Sequence, residues 1–295
     1  MKVTTEQSDF RSQNVTCDGE FMLPQGVENP PVVILAHGFC GEKAFKLYDY
    51  AQVFAERGIA AFLFDYRGFG KSQGAPRHHV SPKKHIQDWK AAIEHVRKSG
   101  KVNPHKIALW GSSFSGGHVL KVAAEDRAVR AVVSQVPFVD GFDSLSISGP
   151  QFLLKSLKAI SRDLWAKMTM GDPIYIPAIG QPGTLAALNQ PGNLDEFLAI
   201  MPEDTEWENK VTARSLLEAS NYRPGFAAAE LACPAFFVLA EKDNLCLYAS
   251  TKRFAKSAIY GEILSLPVGH FDVYAGDMFD KVANAEADFL EKVLA

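Results

Sequence analysis

Apolar residues fall along this chain in two rhythms that alternate. Residues 31–36 (PVVILA) and 59–64 (IAAFLF) are continuous apolar runs, as expected for strands buried on both faces. Between them Leu47, Tyr50, Ala51 and Phe54 recur at helical spacing over 45–57, and Gly58 ends that helix. Ser81-Pro82 opens a second helix, with Ile86, Trp89, Ile93 and Val96 as its apolar stripe and Gly100 as its stop. A strand over 106–110, a helix over 114–124 and a strand over 129–136 follow. Upstream, residues 14–23 hold two short β-prone pieces split by Asp18-Gly19, which predicts a hairpin. Strands alternating with helices predict an α/β fold, a mostly parallel sheet covered by helices on both faces.

From 141 to about 220 the rhythm changes. Helical pieces over 151–168, 194–200 and 209–219 surround the Pro/Gly-rich stretch GDPIYIPAIGQPG, and no buried-strand signal appears. After Pro224 the α/β pattern returns: strand 235–240, helix 247–257, strand 262–266 and a last helix over 277–294. The expected organisation is an α/β core of residues 1–140 and 221–295, with a mainly helical cap inserted over 141–220. Insertions of that length tend to be functional lids.

Composition removes several classes of function. The 295 residues carry 31 Lys+Arg against 34 Asp+Glu, a net charge of −3, so nothing suggests a nucleic-acid partner. No apolar run is long enough for a membrane span, and residues 1–15 contain no signal-peptide core. Cys17, Cys40, Cys233 and Cys246 form no C-x-x-C pair and no zinc spacing. Four scattered thiols predict small buried fillers in a reducing, cytoplasmic setting, although a processed exported chain would look the same. No coiled-coil seam or interface stripe sets an oligomeric state, so a homodimer stays open.

The segment KIALWGSSFSGG (106–117) carries the candidate chemistry. A buried strand runs into Gly111, and Ser113 stands two residues on, with the small Ser115 two residues further. A nucleophile on so tight a strand-to-helix turn needs small neighbours, and the following helix N-terminus favours developing negative charge. The pattern also fits Ser115, and Ser112 is a third candidate; the abrupt end of the strand favours Ser113.

A serine needs a base oriented by an acid. Asp243 follows the strand AFFVLA, and His270 follows the next strand, so both arrive at the same sheet edge. Asp140, Glu241 and Asp272 compete as the acid. The other histidines (His37, His78, His79, His85, His95, His105, His118) read as structural or exposed, with His37 also shaping the turn AHGFCG after the first buried strand. Acyl transfer also needs two backbone N–H donors for the oxyanion; Phe39 in that turn and Phe114 after the serine are the candidates.

Together HGF (37–39), DYRGFGKS (65–72), WGSSFSGG (110–117), EKD (241–243) and GHFD (269–272) resemble the α/β-hydrolase superfamily over nearly the whole chain. Within it, DYRGFGKSQGAPR, Gln87-Asp88, WEN (207–209) and YRPG (222–225) are similar to a group holding dienelactone hydrolases, X-Pro dipeptidyl-peptidase-type hydrolases and fungal polyketide transferases. The resemblance implies a Ser-Asp-His hydrolase with Ser113, Asp243 and His270 in those roles and no metal or organic cofactor. Two departures stand out: Ser115 replaces a glycine, and Leu247 stands where a proline often follows the acid. The expected substrate is a small-molecule ester or thioester, medium-sized and largely apolar, with Phe152, Leu153, Leu154, Trp165, Met168, Leu185 and Leu188 available to line an acyl pocket or pack the cap. The alternatives are an acyl or polyketide transferase with the same triad and a small X-Pro-type peptidase.

Overall fold

A computed structural model describes residues 1–147 and 149–295, with Ser144 as backbone only. The elements are, in order, β1 (Val3–Gln7), β2 (Phe10–Ser12), β3 (Val15–Cys17), β4 (Gly19–Pro24), β5 (Val32–Ala36), α1 (Leu47–Glu56), β6 (Ala60–Phe64) and α2 (Pro82–Lys98). Then come β7 (Ile107–Ser112), α3 (Phe114–Glu125), β8 (Ala131–Gln135), α4 (Gly141–Ser146), α5 (Pro150–Met168), β9 (Tyr175–Ile176), α6 (Asn193–Ala199), β10 (Val211–Thr212) and α7 (Arg214–Ser220). The chain closes with β11 (Ala235–Ala240), α8 (Tyr248–Ala255), β12 (Gly261–Leu266) and α9 (Gly276–Leu294).

Eight strands form one sheet in the order β1-β4-β6-β5-β7-β8-β11-β12. Its first two pairings, β1–β4 and β4–β6, are antiparallel, and the rest are parallel. Alternate residues of β5 face opposite layers: Val32, Ile34 and Ala36 pack with α2 and α3, Val33 and Leu35 with α1 and α9. Burial on both faces is why these strands read as unbroken apolar runs.

The register aligns the carboxyl ends of the central strands. Ala36 pairs with Gly111, Ser112 with Gln135, and Ala240 with Leu266. The loops after β5, β7, β11 and β12 therefore start along one rim, where ligands bind in open α/β sheets.

Two local expectations are corrected. Asp18-Gly19 does not turn a hairpin. β3 pairs instead with β2 across Gln13-Asn14, where Gln13 takes φ 54°, while β4 joins β1 and β6 in the main sheet. Asp18 is buried at the joint, paired with Lys43 at 2.6 Å, and a Cβ on Gly19 would meet the Phe62 ring at 2.6 Å. The short polar pair thus serves long-range packing. Further on, the helix expected over 209–219 begins only at Arg214, because Val211 and Thr212 pair as β10 with β9. Edge strand β1 is almost wholly exposed and polar, so no apolar run in the sequence marks it.

Behind the sheet, Trp110 donates from Nε1 to Glu286 of α9 at 2.8 Å. Burial pushes the Glu286 carboxyl up from 4.5 to about 8, against the pull of that hydrogen bond. Between those values the folded chain holds a proton that the unfolded chain has lost, so stability falls as pH rises through the window. The expected loss over the whole window is about 5 kcal/mol. Glu286→Gln keeps the acceptor for Trp110 and should flatten this part of the stability-versus-pH curve, as read from Tm at pH 5 and pH 9. Parallel curves for variant and wild type would refute it.

Candidate active site

β7 runs straight into α3, and the joint falls on Ser113 at φ 55° and ψ −118°. A non-glycine residue there is strained by roughly 1–3 kcal/mol. Backbone bonds hold it: the Ser113 N–H donates to the Gln135 carbonyl (2.9 Å), and its own carbonyl accepts from the N–H groups of Phe138 (2.8 Å) and Gly117 (3.4 Å). Glycine is required alongside, since a Cβ on Gly111 would lie 2.2 Å from the Ser115 carbonyl oxygen.

The two rival serines are committed elsewhere. Ser112 is bonded to the Tyr274 hydroxyl and accepts from Gln135 (3.0 Å). Ser115 is bonded to the Tyr66 hydroxyl and donates to the His37 carbonyl (2.6 Å). At the position where the related pattern has glycine, a buried hydroxyl therefore ties α3 to the turn after β5.

From the loop after β12, the His270 imidazole reaches Ser113 Oγ through Nε2 at 3.0 Å. Its Nδ1–H donates to Asp243 Oδ2 at 2.6 Å. The other oxygen of Asp243 accepts the N–H groups of Leu245 and Cys246, both at 2.8 Å. The two loops are laced together by Glu241 N–H to Leu266 and Lys242 N–H to Val268. With Nδ1 bound to a carboxylate, Nε2 is free to take a proton from the hydroxyl.

None of the rival acids is placed so. Asp140 caps α4 and accepts from Arg223 at 2.9 and 2.8 Å. Asp272 accepts the Gly269 N–H, and Glu241 is exposed.

The turn after β5 lies against the serine, for a Cβ on Gly38 would stand 3.0 Å from that of Ser113. Trp207 donates to the Cys40 carbonyl (2.7 Å) and pins the turn from outside. His37 is buried beneath it, and burial lowers its pKa to about 4. It stays neutral at working pH and adds no positive charge. Phe39 and Phe114 meet edge to face at 5.5 Å, and among the described residues no acceptor is bonded to either backbone N–H.

Ser113 opens onto a cavity of about 450 Å³ lined by Phe39, Phe114, Phe138, Phe152, Leu153 and Ile160, among others, within the usual size of small-molecule sites. A recess of about 40 Å³ also touches Ser113, against Gly38, His270 and Phe271. Of the side chains expected to line an apolar pocket or pack the insertion, Phe152, Leu153 and Leu188 line the cavity, and Leu185 packs on the core. Leu154, Trp165 and Met168 point to solvent instead, because their face of α5 lies opposite its buried side.

Cys246, expected from sequence only as a small buried filler, is buried in the cavity wall beside Ser113, and its N–H donates to Asp243. Its spacing of three from the acid was the available signal. The donor atoms of Asp243, Cys246 and His270 lie within 4.8 Å of one another. Yet the carboxylate and Nδ1 are spent on each other, and burial holds the thiol well above its ordinary pKa. The set suits proton transfer better than metal binding.

A doubly covered, mostly parallel sheet with a hydroxyl, an imidazole and a carboxylate on its carboxyl rim defines an α/β-hydrolase. The chain belongs to the Hydrolase_4 family, serine aminopeptidase S33, whose model matches residues 28–262. It is 34% identical to the quorum-quenching protein AidA of Acinetobacter baumannii (strain MDR-ZJ06), over 97% of this chain and 94% of that one. Thiohydrolase aneE of Aspergillus aculeatus is 25% identical over 92% of this chain and 88% of its own; polyketide transferases are also among the relatives. The crystal structure of the alpha/beta hydrolase GrgF from Penicillium sp. sh18 superposes with a TM-score of 0.85, at 25% identity and 99% coverage of both chains. No helix among the described residues is long and apolar enough to cross a membrane.

Proposed function

We propose that this enzyme cleaves a carboxylic ester or thioester of a medium-sized, largely apolar substrate through an acyl-enzyme on Ser113. The observation that carries the reading is the hydroxyl–imidazole–carboxylate chain opening directly onto the apolar cavity. His270 takes the Ser113 proton as Oγ attacks the carbonyl carbon, and the Phe39 and Phe114 N–H groups receive the developing oxyanion. Asp243 holds the imidazole tautomer and stabilises the imidazolium. His270 then protonates the leaving alcohol or thiol, activates a water and returns the proton to Ser113 as the acid departs. The acyl chain occupies the large cavity. The recess beside His270 has room for the water. Residues 141–220 act as the lid, because α5 and α7 supply much of the cavity wall.

A peptidase that reads a free α-ammonium needs a carboxylate in its pocket, and among the described residues lining the cavity none is charged. Transfer to a second nucleophile is the better alternative, favoured by the polyketide transferases among the relatives. The discriminating test is a p-nitrophenyl ester series beside a thioester and an aminoacyl anilide. Each methylene that still fits should raise kcat/KM about three- to fourfold from its burial. A best substrate of acetate, or turnover of the anilide alone, would refute the reading. Product analysis with an added alcohol separates hydrolysis from transfer.

A further inference from the structure

Helix α5 lines the cavity through Phe152, Leu153, Ser156, Leu157 and Ile160. Its outer face is unusual for a water-facing helix. Leu154, Trp165 and Met168 share that face by helical spacing, with Leu157 at its edge toward the cavity, and Trp165 is 67% and Met168 78% exposed. Beside them Lys155, Lys158 and Arg162 form an exposed cationic flank, with Lys167 in the last turn. None of these four cations is in an ion pair among the described residues. The one acid of α5, Asp163, faces inward and is buried against Arg214 (3.1 Å), so it offers them no counter-charge.

This patch is a local reversal on a chain of net charge −3. It also adjoins the entrance, because the exposed Phe142, Leu145, Leu157 and Leu217 line the cavity as well. Large exposed apolar side chains beside a one-signed cationic flank are the pattern of a helix lying in a lipid interface. A symmetric pairing with a second copy would bring the lysines and arginine of α5 together, which like-charge repulsion opposes.

We infer that α5 and the cavity rim dock this enzyme on an anionic lipid surface. Leu154, Trp165 and Met168 enter the headgroup boundary, while Lys155, Lys158 and Arg162 meet lipid phosphates. The cavity mouth then faces the layer in which an apolar substrate concentrates. The inference rests on the proposed hydrolase only for what enters the cavity. Docking is read without turnover, so the two readings fail separately.

The test uses the full chain with phosphatidylcholine vesicles, with and without phosphatidylglycerol. Trp89 and Trp110 are fully buried and Trp207 is half-buried, so Trp165 is the exposed reporter. Expected results are co-sedimentation with the anionic vesicles, a blue shift of tryptophan emission that W165F abolishes, and loss of both at high salt. The triple charge reversal K155E/K158E/R162E should bind at least tenfold more weakly while hydrolysing a water-soluble ester at the wild-type rate. Equal affinity for neutral vesicles, undiminished binding by the triple variant, or no binding at low salt would overturn the inference. So would a stable dimer in sedimentation that W165S dissociates, or capture of α5 by an acidic protein with no affinity for vesicles.

Discussion

Ser113→Ala is expected to lower kcat for an activated ester by roughly four orders of magnitude or more, and to abolish labelling by a fluorophosphonate probe. Ser113 is the one serine of the three that presents its hydroxyl to His270, at 3.0 Å. Removing that oxygen leaves the other groups with nothing to activate, and the residual rate reflects oxyanion binding alone. The fold should persist, since the backbone bonds to Gln135 and from Phe138 do not involve the side chain. Ser113→Gly sharpens the argument. Glycine accepts φ 55° without strain, so this inactive variant should melt higher than wild type, consistent with strain of about 1–3 kcal/mol. Turnover of Ser113→Ala within tenfold of wild type would end the assignment, and so would labelling at Ser112 or Ser115.

The second large effect belongs to Asp243→Asn, expected to cost about 10⁴-fold in kcat with little change in KM. Asparagine can keep one oxygen for the Leu245 and Cys246 N–H groups, so the loop stays in place. It then turns its amide toward His270 Nδ1, where the carboxylate now accepts at 2.6 Å. Two donors cannot face each other. The imidazole must switch tautomer, placing its proton on Nε2 against Ser113, and it can no longer act as a base. Asp140→Asn is the control, because that carboxylate binds Arg223 and the start of α4 instead. It should lower stability by about 1–2 kcal/mol and leave kcat within a few-fold. If the two variants exchanged phenotypes, the acid would have been misassigned.

Much of this was legible in the order of residues. Strands β5, β6 and β11 are buried on both faces and announce themselves as continuous apolar runs with no need of their neighbours, and β7 and β8 do so over their first three or four residues. A parallel sheet then obliges the loops carrying Phe39, Ser113, Asp243 and His270 to leave along one rim, whatever the details. Gly111 was equally readable, since a side chain there meets backbone within the same turn. Asp18-Gly19 fails to turn a hairpin for the opposite reason. A turn signal describes a dipeptide's preferences, whereas Asp18 and Gly19 answer to Lys43 and Phe62, which are remote in sequence.

By itself, then, the sequence determined the α/β class, the strand ends and the residue types that reach them, because these follow from local periodicity and chain order. The abrupt end of β7 already favoured Ser113, but only tertiary structure brought its hydroxyl to the imidazole, turned Asp140 to Arg223 instead, and decided which side of α5 lines a cavity. Those outcomes depend on distances of about 3 Å between groups far apart along the chain. Periodicity marks a side chain as apolar or polar; only the packed neighbours assign it to the cavity wall or to solvent.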